Sequence, residues 1–209
     1  MRITRIESQK KRKGRVSVFL DGAFAFGLDQ KVVVDHALHE GDELTQEMID
    51  AVLLDEEKTR AKNKALALLS YRSRSVSELR KKLCEKEFSR KTVEDIIEDL
   101  LRVGLLDDVR FASAYIHSRM LQKPMGKRLL GRELFLKGID EEVIEKCVEE
   151  GYEGRTEIDV AREVAEKRVK PVVGDIRKTK KRLSDFLARR GFGWDVIQAV
   201  LQELSWENE

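Results

Sequence analysis

Three leucine pairs, each spaced by one helical turn, constrain this chain more than any other feature: Leu79 and Leu83, Leu130 and Leu134, Leu183 and Leu187. With Leu83, Leu134 and Leu187 as anchors, the offsets between copies are 51 and 53 residues. Glu87-Phe88, Gly138-Ile139 and Gly191-Phe192 then stand four and five residues after the anchors. Each is a helix stop followed by an apolar residue, and glycine is the common stop because it takes a left-handed backbone freely. Beyond the stop, apolar residues return at spacings of three and four. They are Val93, Ile96 and Ile97, then Val143, Ile144, Cys147 and Val148, then Val196, Ile197, Val200 and Leu201. This is the signature of one buried helical face.

A further helix precedes each leucine pair, carrying Ala61, Ala65, Leu66, Leu68 and Leu69, then Phe111, Ala112, Tyr115 and Ile116, then Val160, Ala161, Val164 and Ala165. Each unit is therefore three helices, called a, b and c below. The breaks between a and b fall at Ser73-Arg74-Ser75, Pro124-Met125-Gly126 and Pro171-Val172-Val173-Gly174, which hold both prolines of the chain. Gly104-Leu105-Leu106-Asp107-Asp108 joins the first unit to the second, with Asp107 as an N-cap and Leu106 facing Phe111 as a hydrophobic staple. Before the repeats, Asp21-Gly22 lies between Arg15-Val16-Ser17-Val18-Phe19-Leu20 and Ala23-Phe24-Ala25-Phe26-Gly27, a β-hairpin signal. A short helix over Asp29 to Leu38 and a helix opened by Thr45 follow. The expected fold is mainly α: three tandem three-helix, helix-turn-helix-like repeats in an elongated curved array, with a small N-terminal β-hairpin element. The expected boundaries are 1–57, 58–106, 107–154 and 155–209.

Charge follows the repeat. The chain holds 41 Lys and Arg against 39 Asp and Glu, a net charge of +2, yet the signs come in blocks. Residues 1–15 hold seven basic residues and one acidic, and 16–57 one basic and eleven acidic. Residues 58–91 are strongly basic, 92–108 acidic, 109–138 basic, 139–163 acidic, 164–191 basic and 192–209 acidic. The basic residues gather on the a–b loops and helix b: Arg72, Arg74, Arg80, Lys81, Lys82 and Lys86 in the first unit, then Arg119, Lys123, Lys127, Arg128 and Arg132 in the second. The third adds Lys167, Arg168, Lys170, Arg177, Lys178, Lys180, Lys181, Arg182, Arg189 and Arg190. Helix c is acidic, with Glu94, Asp95, Glu98 and Asp99, then Glu141, Glu142, Glu145, Glu149 and Glu150. Charge-rich helices ordinarily pair their charges locally, which mixes signs. Segregation repeated three times predicts instead a basic stripe for a polyanion and an acidic stripe for a protein surface. No unit has the single basic recognition helix of a sequence-reading helix-turn-helix.

Chemistry has little to hold. The chain lacks a phosphate-binding glycine loop, a nucleophile elbow, a His-Glu-x-x-His and a Cys-x-x-Cys. His36, His39 and His117 form no ligand cluster, and His36 and His39 read as a solvated helix end beside Asp35 and Glu40. Asp107-Asp108 reads as capping rather than an acid dyad. Cys147 takes the place of Ile96 and Val200 and reads as a buried hydrophobe, and Cys84 has no base near it in sequence. No catalytic residue, metal or cofactor is expected. No apolar run reaches the roughly 18–20 residues of a membrane span, and the start has no secretory apolar core, so the expected location is cytoplasmic with no membrane partner.

Several of these residues also carry a family resemblance. Ser77-Glu78-Leu79-Arg80-Lys81-Lys82-Leu83, then Phe88 and Val93, then Gly104-Leu105-Leu106-Asp107-Asp108 leading into Phe111-Ala112 and Tyr115-Ile116, resemble the RecX regulatory proteins. Gly126 to Gly138 matches too, with Leu130, Arg132-Glu133-Leu134 and Lys137-Gly138-Ile139. The departure is Glu87, where the family usually has glycine. The resemblance implies a non-enzymatic monomer that binds RecA and RecA filaments on single-stranded DNA, inhibits strand exchange, ATP hydrolysis and co-protease activity, and so modulates repair, recombination and the SOS response. It also implies binding to single- or double-stranded DNA without strong sequence preference. The candidate contacts are Arg72, Arg74, Arg80, Lys81, Lys82, Arg119, Lys123, Lys127, Arg128, Arg132, Arg177, Lys178, Lys180, Lys181, Arg182, Arg189 and Arg190. The alternative is a nucleic-acid-binding protein or transcriptional regulator acting alone, and an enzyme is the weakest reading.

Overall fold

A computed structural model describes residues 1–10, 12–152, 154–168 and 176–204. The break at Pro171-Val172-Val173-Gly174 and the cation Lys170 lie outside the described residues. The chain folds as two compact units, Met1–Ser73 with Leu79–Leu105, and Arg74–Glu78 with Leu106–Glu209.

The first unit opens with three antiparallel strands in the order β1 (Ile3–Ser8), β2 (Arg15–Leu20), β3 (Ala23–Asp29). Alternation in β2 buries Val16, Val18 and Leu20 on one face. Asp21 and Gly22 both have positive φ, +49° and +87°, as a two-residue hairpin turn with the right twist requires. The strand β1 adds a third strand to the expected hairpin. Its two isoleucines are three apart rather than two, which conceals the strand pattern. A register shift between Ile3 and Arg5 absorbs the extra residue, so that Ile3 is buried and Ile6 packs on the same core.

Asp29 caps the short helix α1 (Gln30–Asp35), accepting from the Lys31 N–H at 3.0 Å. Thr45 caps α2 (Gln46–Tyr71), accepting from the Met48 N–H. The helix α2 is continuous for 26 residues, and its halves have different jobs. Ile49 and Val52 close the core made by the sheet and α1, while Ala61 and Ala65 are buried further along. Between them Glu56 is buried. Its carboxylate accepts from Arg15 Nη1 at 2.8 Å and from the Asp29 N–H at 2.6 Å, and Arg15 Nη2 donates to the Gly27 carbonyl. One buried carboxylate thus ties α2 to β2 and β3. His36, the residue that ends α1, adds a contact, with Nε2 at 2.8 Å from the Asp55 carboxylate.

In the repeats, helix a of the first is the second half of α2, followed by α3 (Val76–Cys84) and α4 (Arg90–Arg102). The second is α5 (Asp108–Gln122), α6 (Lys127–Phe135) and α7 (Glu141–Glu150); the third is α8 (Glu157–Glu166), α9 (Ile176–Arg189) and α10 (Trp194–Glu203). Helix a packs against helix c in all three, α2 on α4, α5 on α7 and α8 on α10. The six pattern leucines are buried, none more than 3% exposed. Phe111 through Val200 form one continuous core across the second and third repeats. Cys147 is buried in it, and Cys84 is exposed.

Both carboxylates of Asp107-Asp108 cap helices, as read, but different ones. Asp107 accepts from the Arg110 N–H of α5 at 2.9 Å, and Asp108 from the Val76 N–H that begins α3, also at 2.9 Å. Ser75 completes that cap, accepting from the Glu78 N–H and donating to the Lys137 carbonyl. Gly138 has φ +72° and lies against Ser77, where a Cβ would come within 2.4 Å. The start of α3 is therefore locked to the end of α6.

The three helix stops share one conformation. Gly138 and Gly191 have φ of +72° and +86°, and Glu87 has φ of +63°. A side chain in this region costs about 1–2 kcal/mol, so Glu87 keeps the turn under strain. Glu87→Gly is expected to raise stability by about 0.5–1 kcal/mol in urea denaturation, net of the extra freedom glycine gains in the unfolded chain. Removal of the buried carboxylate acts in the opposite sense. Glu56→Ala leaves the Arg15 guanidinium half-buried and the Asp29 N–H without its acceptor, and is expected to cost about 3 kcal/mol by the same measurement.

Candidate nucleic-acid interface

The basic residues of helix b divide according to what the acidic helix c offers them. In the first repeat Arg80 reaches across to α4 and grips Glu94 with two hydrogen bonds, Nε to Oε1 at 2.7 Å and Nη2 to Oε2 at 2.9 Å. The guanidinium holds the Glu94 carboxyl below its ordinary range, chiefly through these bonds. In the second, Lys127 Nζ meets both oxygens of Glu149 on α7, at 2.6 and 2.7 Å. The two signs are segregated along the chain but face each other across adjacent helices. Part of the block pattern is therefore used internally, which corrects the premise that segregation excludes local pairing.

Other candidates are also engaged. Lys82 pairs with Glu85 at 2.8 Å, and Arg72 donates to the Ser73 carbonyl at 2.9 Å. Arg119 donates to the Tyr115 hydroxyl and lies 3.0 Å from Glu133, to which Tyr115 also donates at 2.6 Å. This network fastens α5 to α6, and Lys137 extends it over the Phe111 and Tyr115 rings. Arg190 donates to the Pro124 carbonyl at 2.9 Å and lies over the Phe186 ring. Burial lowers the Arg190 pKa. Arg74, at the a–b break, and Lys180, on α9, are half-buried, while Arg177 and Lys178 on α9 are exposed.

Seven candidates are exposed and make no ion pair among the described residues: Lys81, Lys123, Arg128, Arg132, Lys181, Arg182 and Arg189. A charge without a partner is available to a ligand at no cost of breaking a contact. Three of the seven, Arg128, Arg132 and Arg189, are brought to one groove of ≈ 560 Å³ beside Trp194. Lys123 and Arg190 border another groove, of ≈ 570 Å³, with Lys167, Arg168 and Glu163.

The spacing of α6 explains how the first groove is positioned. Arg128 and Arg132 are four apart and share a face. Gly126, just before them, lies against Gly191, where a Cβ would come within 2.3 Å of the Gly191 carbonyl oxygen, and its N–H donates to the Arg190 carbonyl. The Tyr152 hydroxyl, whose pKa burial pushes up, donates to the Met125 carbonyl at 2.8 Å and secures the same loop. Trp194 lies outside the set of contacts expected from the sequence. The signal for it is positional: it begins helix c where the other two repeats have Arg90 and Glu141.

No group of three or more His, Cys, Asp or Glu that could hold a metal occurs among the described residues. None of their helices is long and apolar enough to cross a membrane.

Sequence comparison follows the same four-part plan. The pattern of the regulatory protein RecX N-terminal domain matches residues 1–45. Those of the first, second and third RecX three-helix domains match residues 61–100, 107–148 and 156–201. Regulatory protein RecX of Clostridium acetobutylicum is 33% identical over 210 residues, spanning 99% of this chain and 97% of its own length. The chain belongs to the RecX family. A Bacillus licheniformis RecX is 35% identical over 208 residues, with 99% of this chain and 79% of that protein covered. A crystal structure of regulatory protein RecX superposes with a TM-score of 0.71 at 28% identity, covering 97% and 99% of the two chains. RecX from Lactobacillus salivarius gives 0.64 at 25%, covering 72% and 97%. The chain has the three three-helix domains that the family is built from.

The division between engaged and unengaged cations has a direct readout. Lys181→Glu with Arg182→Glu is expected to lower the salt concentration that elutes the protein from heparin. Arg80→Gln, whose charge Glu94 already holds, is expected to move elution much less. Equal shifts for the two would show that the Arg80–Glu94 pair opens freely in solution.

Proposed function

We propose that this protein regulates RecA by binding the recombinase and its filament on single-stranded DNA, inhibiting strand exchange, ATP hydrolysis and co-protease activity. The observation that carries this reading is the full-length match to RecX regulatory proteins, in all four segments. The surface chemistry supports it. A RecA filament offers phosphates and protein together. The chain has unengaged cations on helix b and remaining carboxylates on helix c, such as exposed Glu98, Glu141 and Glu145. Cations recruit phosphates by releasing condensed counterions, and carboxylates suit a basic protein face. Exposed Phe135 and Leu136 at the end of α6 add apolar contact of the kind protein interfaces use.

A second reading, a DNA-binding regulator acting alone, draws on the three-helix units with a basic middle helix. It requires one preferred duplex sequence bound at least about a thousandfold more tightly than random DNA at equal salt.

The test is RecA-driven strand exchange and ATP hydrolysis with stoichiometric protein. Both are expected to fall, and unchanged rates would sink the proposal. Charge reversal at Lys81, Lys82, Arg128, Arg132, Lys181 and Arg182 is expected to weaken binding to the filament with far-ultraviolet circular dichroism unchanged. Undiminished binding would show these residues to be a solvated face.

A further inference from the structure

We propose that the groove between α6 and the α9–α10 turn is a subsite for single-stranded nucleic acid, in which Arg128, Arg132 and Arg189 hold phosphates and Trp194 stacks on an unpaired base. The inference deepens the proposed function, on which it rests in taking a single strand as part of the target.

Four observations carry it. The three arginines line one groove, and none makes an ion pair among the described residues. Among the described residues no carboxylate lines that groove, so a negative ligand meets no repulsion from those walls. Trp194 is 66% exposed, an unusual position for the largest apolar side chain in a protein that buries Phe192 and Ile197 directly beneath the same groove. The walls are also held in place. Gly126 against Gly191, and Gly191 against Leu129 where a Cβ would come within 2.3 Å, fix α6 on the turn that carries Arg189 and Trp194. Such rigidity holds a binding constellation at low entropic cost.

The combination selects among polyanions. Arginine–phosphate contacts alone serve duplex and single strand alike. An exposed tryptophan adds stacking on a base face, which a duplex covers and a single strand presents, and such stacking tolerates every base. The occupant is therefore a single strand bound without sequence preference.

The sequence has a second tryptophan, Trp206, so the experiment uses full-length protein carrying Trp206→Phe, with Trp194 as the sole reporter. Titration with oligothymidylate, without RecA, is expected to quench the Trp194 fluorescence. Trp194→Ala, followed by anisotropy of labelled oligothymidylate, is expected to weaken binding about tenfold, the scale of one lost stacking contact. Trp194→Phe should recover most of it, and duplex binding should change less than about twofold. Arg128→Glu with Arg132→Glu should weaken both ligands and flatten the salt dependence. Circular dichroism of each variant checks folding. Absent quenching, an unchanged affinity of Trp194→Ala for the single strand, or an equal loss for duplex would overturn the subsite. Tight binding of an acidic peptide in preference to oligothymidylate would do the same. Strand exchange separates the two ideas: wild-type protein that fails to inhibit RecA overturns the proposed function, while the fluorescence titration still decides the subsite.

Discussion

The burial of two leucines one turn apart underlies the repeats. The helices that carry them, α3, α6 and α9, run 9 to 14 residues, a length at which isolated helices are marginal in water. Each is stable because its leucine pair is buried among neighbouring helices. A fully buried leucine contributes roughly 1.5–3 kcal/mol of transfer free energy, so the pair anchors the helix and leaves the rest of its surface open to charge. That economy explains how a chain 38% charged builds a core at all.

The turn after each leucine pair is the second requirement. It sends helix c back under the core, and it needs one residue with positive φ. Gly138 and Gly191 meet that need without strain, and in these two turns the missing Cβ also admits Ser77 and Leu129 at close range. Glu87 occupies the corresponding place with the same backbone, so the geometry belongs to the repeat and not to the glycine. The Gly191 turn also places Arg189 and Trp194 beside α6.

Much of this was legible in the chain. The anchors, the stops, the apolar faces of helix c, the Asp21-Gly22 turn and the caps at Thr45 and Asp107 all follow from local spacing and backbone chemistry. The strand β1 did not, because a bulge breaks its alternation. Neither did the Glu56–Arg15 pair, whose members are 41 residues apart, nor the cap that Asp108 provides for a helix 32 residues earlier.

The basic stripe shows where the two kinds of information part. The sequence by itself determined that cations would gather on helix b and carboxylates on helix c, because that is a matter of which residues follow which. Only the tertiary structure decided which cations are engaged. Hydrogen-bonded ion pairs form over about 3 Å, and the distances that put Arg80 on Glu94 and Lys127 on Glu149 are set by how helices pack. The same packing leaves Arg128, Arg132 and Arg189 without an ion pair among the described residues, around an exposed tryptophan. No count of charge along the chain separates these two outcomes.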